Sequence, residues 1–66
     1  MHVIVNGRPQ DLDERATLAG LVARVAPDPR GIAFAVNGGV VPARTWPDVE
    51  LVEGDQVEVV TAHQGG

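Results

Sequence analysis

Sixty-six residues, of which 44% are hydrophobic and 21% charged, describe a single globular domain too small to bury more than about 60% of the surface its unfolded chain exposes. Little room is left for a deep pocket. Nine acidic residues against five arginines give a net charge of −4, which speaks against a nucleic-acid backbone as the main partner. The absence of cysteine excludes disulfides, thiolate metal sites and thiol nucleophiles together, so any sulfur chemistry must run elsewhere than on a side chain.

The first element is Val3-Ile4-Val5, β-branched and followed by Asn6-Gly7, the strongest two-residue hairpin signal. With Arg8-Pro9-Gln10-Asp11-Leu12 returning, residues 2–13 read as a hairpin, and Pro9 assigns the return strand to a sheet edge because it has no N–H to donate. Thr17 is placed as an N-cap before Leu18, Leu21, Val22 and Val25, whose spacing predicts a short amphipathic helix over 18–26. Gly20 costs that helix about 1 kcal/mol relative to Ala, a cost explained if another backbone packs close to it. Pro27-Asp28-Pro29 prevents continuation.

A second hairpin, or a strand with a tight bend, is predicted from Ile32 through Asn37-Gly38-Gly39 to Val40-Val41. Residues 43–50 read as irregular. Leu51-Val52 then precedes a turn at Glu53-Gly54-Asp55 and a final strand over 56–61. One helix can cover one face of such a sheet, giving an α+β roll in which the first and last strands lie side by side as a parallel pair. Residues 1–61 form the body in this reading, and 62–66 a flexible tail ending in Gly65-Gly66.

That end is the candidate functional site. An α-carboxyl has a pKa of roughly 3.5 and resists nucleophiles until one of its oxygens becomes part of a good leaving group. Two glycines lack Cβ and can pass through a channel too narrow for a branched side chain. Five extended residues reach about 17 Å, enough to enter a partner's active site while the body stays outside. The chain has no G-x-x-x-x-G-K-[ST] loop and no lysine to complete one, and no Ser/His/Asp set with chain left over for a pocket, so it reads as a substrate and not as a catalyst. No signal peptide or membrane-spanning stretch is visible, which gives a cytoplasmic location by default.

Four segments resemble the small sulfur carriers of thiamin thiazole synthesis, the ThiS family with its ubiquitin-like β-grasp fold. They are Val5-Asn6-Gly7, the helix start Thr17-Leu18, the block from Ala35 to Pro42 with Trp46 four residues beyond, and the end from Glu53-Gly54-Asp55 to Gly65-Gly66. The fold this implies is a β-grasp roll with a mixed four- to five-stranded sheet. The arginine that follows the proline in many relatives is replaced by Ala43, so Arg44 does not inherit its contact.

The resemblance further implies that a ThiF-like adenylating enzyme uses ATP to convert Gly66 to a glycyl adenylate, with Gly65 as the slim neighbour that lets it enter; Gln64 and His63, next in the tail, are expected to enter that enzyme with them. Sulfur from a cysteine desulfurase or another donor then gives a thiocarboxylate, which thiazole synthase (ThiG) consumes. The chain itself binds no cofactor, metal, nucleic acid or membrane in this reading and is a monomer when free. The small subunit of molybdopterin synthase and a ubiquitin-like protein tag share the Gly-Gly end, and a TGS-like RNA-binding module shares the Val-Asn-Gly and Gly-Asp patterns. Of the other conspicuous residues, Trp46 is assigned to closing the end of the sheet, and His2 to a strand edge.

Overall fold

The computed structural model describes residues 1–61. Asn6 and Gly7, at φ 49° and 82°, make the tight turn that folds β1 (His2–Val5) back as β2 (Arg8–Asp11). Both central residues of such a turn need positive φ, which explains the Asn-Gly pair. The same solution recurs at Asn37 and Gly38, at φ 50° and 89°, between β3 (Ile32–Val36) and β4 (Gly39–Val41). The last strand, β5 (Gln56–Thr61), lies between β1 and β3, parallel to the former and antiparallel to the latter. The sheet order is β2-β1-β5-β3-β4, so the expected parallel pairing of first and last strands is present and Pro9 stands on an edge strand.

Helix α1 (Leu18–Val25) starts where Thr17, in an extended conformation, accepts a hydrogen bond on Oγ1 from the Gly20 N–H at 3.2 Å. Leu18, Leu21 and Val22 are buried against the sheet, but Val25, expected on the same face, is substantially exposed. Ala26 is buried instead: it leaves helical geometry at φ −143°, and its N–H still bonds the Val22 carbonyl at 2.8 Å. In the loop beyond, the Arg30 guanidinium binds both Asp28 oxygens and holds that carboxyl below its ordinary value. The pair is exposed and contributes little to stability.

Gly20 does not admit a neighbouring backbone, contrary to the expectation above. A Cβ built there meets only Thr17 Oγ1, at 3.7 Å, an ordinary contact. Gly20→Ala should therefore stabilise the domain by about 0.5–1 kcal/mol through backbone entropy alone. A urea midpoint that fails to rise would show that this helix needs its glycine.

Phe34, fully buried on β3, sits in a core of Val3, Val5, Leu12, Leu18, Leu21, Val22, Leu51 and Val57. Trp46 packs edge-on against it, ring centroids 5.2 Å apart, and its indole N–H donates to the Val41 carbonyl at 2.9 Å. Its role at the end of the sheet is structural, as expected. The segment read as irregular is instead a 3₁₀ helix over Ala43–Asp48. Thr45 starts it by directing both its N–H and its hydroxyl to the Pro42 carbonyl. Tight i→i+3 turns have no amphipathic period to betray them in sequence.

Asp55 is the one charged side chain buried among the described residues. Its two oxygens accept from the Val52 N–H at 2.8 Å and from Asn37 Nδ2 at 2.9 Å, closing the turn before β5 onto the second hairpin. The Gly54-Asp55 motif thus serves architecture: Gly54, at φ 86°, donates its N–H to the His2 carbonyl, and the Asp55 carbonyl accepts from the Ile4 N–H.

Candidate functional site

Strand β5 is the element from which residues 62–66 continue, and it is gripped on both flanks. On the β3 side, Phe34, Ala33 and Ile32 stand opposite Val59, Val60 and Thr61, so pairing runs to the end of the strand. On the β1 side, strand pairing stops at Val5 opposite Val57. Asn6 prolongs it: its N–H donates to the Val57 carbonyl and its Oδ1 accepts from the Val59 N–H, each at 2.9 Å. In a parallel ladder the second bond belongs to a backbone carbonyl. Here a side-chain amide oxygen takes that place.

Asn37 does the same on the opposite flank. Its N–H donates to the Gln56 carbonyl at 2.7 Å and its Oδ1 accepts from the Gln56 N–H at 2.9 Å, which is the two-bond pattern of an antiparallel pair with one carbonyl substituted. The two Asn-Gly turns therefore hold the central strand as well as reversing the chain. Sequence reasoning found the turns and missed this second use. The available signal was the choice of Asn at both first positions, where Gly would meet the need for positive φ but carries no side-chain oxygen.

Gly66, Gly65, Gln64 and His63, the residues expected to carry the function, lie outside the described residues. His2 is exposed at the start of β1, which lies inside the sheet and not at its edge; its Nε2 is 3.7 Å from Asp11 Oδ1. Among the described residues no three His, Cys, Asp or Glu side chains come together as a metal site. A recess of about 350 Å³ beside the helix start is lined by Leu12, Thr17, Gly20, Leu21, Arg15 and Arg24, among others. The Thr17 hydroxyl there is committed to the helix cap. No helix among the described residues is long and apolar enough to cross a membrane.

The sheet face opposite the helix is open. Alternation from buried Phe34 and Val57 puts Ile4, Ala33, Ala35, Val40 and Val60 on it, with Val40 and Val60 at 73% and 51% exposure. Glu58 stands among them, opposite Ala35. This apolar patch was not legible in the sequence, because which face of each strand the helix covers is decided only when the strands pair.

A model of the ThiS family matches residues 3–66. The chain belongs to the ThiS family. It is 27% identical to the thiamine biosynthesis protein ThiS of Geobacter metallireducens, whose crystal structure superposes with a TM-score of 0.84 over the whole of both chains. A solution structure of a thiamine biosynthesis protein from the same organism matches at 26% identity and a TM-score of 0.74, over all of this chain and 88% of that one. Among curated proteins, a thiazole synthase of Magnetococcus marinus is 36% identical over 66 residues; this chain spans only 20% of that protein's length. The five-stranded mixed sheet with one α-helix among the described residues is thus the β-grasp roll expected from the sequence.

Proposed function

We propose that this chain is a sulfur carrier of thiamin thiazole synthesis whose cargo rides on the Gly66 carboxyl. The observation that carries the reading is a family match running through Gly65-Gly66, joined to a body whose central strand ends five residues before the last glycine. A ThiF-like adenylating enzyme couples the Gly66 carboxylate to ATP, releasing pyrophosphate and leaving AMP as an easily displaced group. Sulfur from a cysteine desulfurase or another donor replaces the AMP, and the resulting thiocarboxylate is spent by thiazole synthase. Gly65, Gln64 and His63 enter the adenylating enzyme with it.

A thiazole synthase that includes a stretch matching this chain from end to end supports that enzyme as the sulfur acceptor. The carrier is a substrate in each step, monomeric when free and cytoplasmic, where ATP and the donor are. The exposed patch around Val40 and Val60 gives partners an apolar surface to grip.

Intact-mass analysis tests this reading. After incubation with ATP, a sulfur donor and a ThiF-like enzyme, the chain should exchange one oxygen for one sulfur. Recovery only as amide-linked conjugates would instead make it a ubiquitin-like tag, and consumption of the sulfur by molybdopterin synthase in preference to thiazole synthase would move it to that pathway. Binding of RNA at physiological salt, without any sulfur loading, would favour a TGS-like module.

A further inference from the structure

We infer that Asn6 is a positioning residue for the carrier tail: by substituting a side-chain oxygen for a backbone carbonyl at Val59, it fixes the point at which the chain leaves the body. The inference rests on the carrier reading above, because a tail that delivers no carboxyl needs no fixed exit.

The geometry separates this role from that of a turn residue. Positive φ at position 6 would be met by glycine, and the bond from the Asn6 N–H to the Val57 carbonyl needs no side chain. Only Oδ1 reaches the Val59 N–H, on the flank where β1 has already turned away. Without that acceptor, β5 is held from Val59 onward chiefly by β3. Val59 lies seven residues before Gly66.

The consequence is a matter of tether length. Counted from Thr61, the last described residue, five residues reach at most about 17 Å when extended. If the strand opens from Val59 onward, eight residues reach about 28 Å. In that open state the carboxyl is spread through a larger volume, and its effective concentration at the partner's active site falls by about twofold, following the −3/2 power of tether length. Docking of the body through its own surface is unaffected, so the loss belongs to kcat of adenylation and not to KM.

The test uses two variants of the full chain. Asn6→Gly keeps the turn and removes the oxygen, whereas Asn6→Asp keeps both an acceptor oxygen and a residue suited to such turns. In Asn6→Gly the Val59 amide should exchange its hydrogen up to about tenfold faster, the factor that loss of one ordinary hydrogen bond allows, with the Phe34 amide as reference for global opening. Adenylation kcat should fall by up to about twofold at unchanged KM, and Asn6→Asp should restore both. Unchanged exchange at Val59 overturns the clamp. Faster exchange with undiminished kcat overturns the positioning role and leaves the carrier reading standing. A wild-type chain that no ThiF-like enzyme adenylates overturns the carrier reading itself and the positioning role with it.

Discussion

Adding one residue after Gly66 is expected to abolish adenylation and sulfur loading while leaving the stability of the domain unchanged. The added residue converts the Gly66 carboxylate into a peptide carbonyl, which has no oxygen able to attack ATP, and it moves the free carboxyl one residue along the tether. The fold has no reason to respond: the core residues all precede position 58, and the last strand ends at Thr61. Gly65→Val should act in the same direction by different means, since a β-branched side chain restricts the backbone and widens the segment that must enter the adenylating enzyme. ATP–pyrophosphate exchange and intact mass measure the chemistry, and urea denaturation measures the fold. Full thiocarboxylate yield from the extended chain would remove Gly66 from the mechanism. Normal adenylation of the Gly65→Val variant would remove the narrow-channel argument alone.

The largest effect on stability should come from Phe34→Ala. Phe34 is fully buried and is one of only two aromatic residues, both of them in this contact. Truncating a buried Phe costs about 3–5 kcal/mol, whereas a domain of this length has on the order of 3–10 kcal/mol in total. A large part of the population should therefore unfold in water, and Trp46, stripped of its edge-on neighbour, reports it directly by fluorescence. Phe34→Leu preserves most of the volume and should cost far less, about 1–1.5 kcal/mol. A urea midpoint for Phe34→Ala close to that of the wild type would mean that the sheet and helix can close over the space, contrary to the packing described.

The two predictions act on separable parts of the molecule, which is what a carrier requires. In the function we propose, the aliphatic body presents and holds while the terminal residues carry the chemistry. A variant that loses loading with its fold intact points to the tail or to the Asn6–Val59 contact behind it. One that loses both points to the core around Phe34.

Most of this fold was readable from residues whose backbone or side-chain chemistry leaves few choices. Asn6-Gly7 and Asn37-Gly38 accept the positive φ of tight hairpin turns, Thr17 supplies an oxygen to the first helical turn, and Pro27 cannot continue a helix. The alternation through Val57 and Val59 marked the last strand, whose bounds match those expected. Gly65-Gly66 marked the candidate site by chemistry alone, and the family match covers it. Where local rules compete, the reading failed. Val25 satisfies the helical period yet is exposed, with Ala26 buried in its place where the helix ends, and Gly20 has no neighbour that requires it.

The sequence by itself determined where this chain turns and which residues make its core strands and helix, and it pointed to the Gly66 carboxyl as the place for the chemistry we propose. These are matters of short-range sterics, periodicity and functional groups present or absent. Tertiary structure alone decided that Asn6 and Asn37 lend their side-chain oxygens to the central strand, that Asp55 is buried between two turns, and that Val40 and Val60 are left on an open face. Each of those depends on which segment arrives beside which, and a hydrogen bond between residues 53 positions apart, such as that from Val59 to Asn6, exists only after the ends of the chain have met.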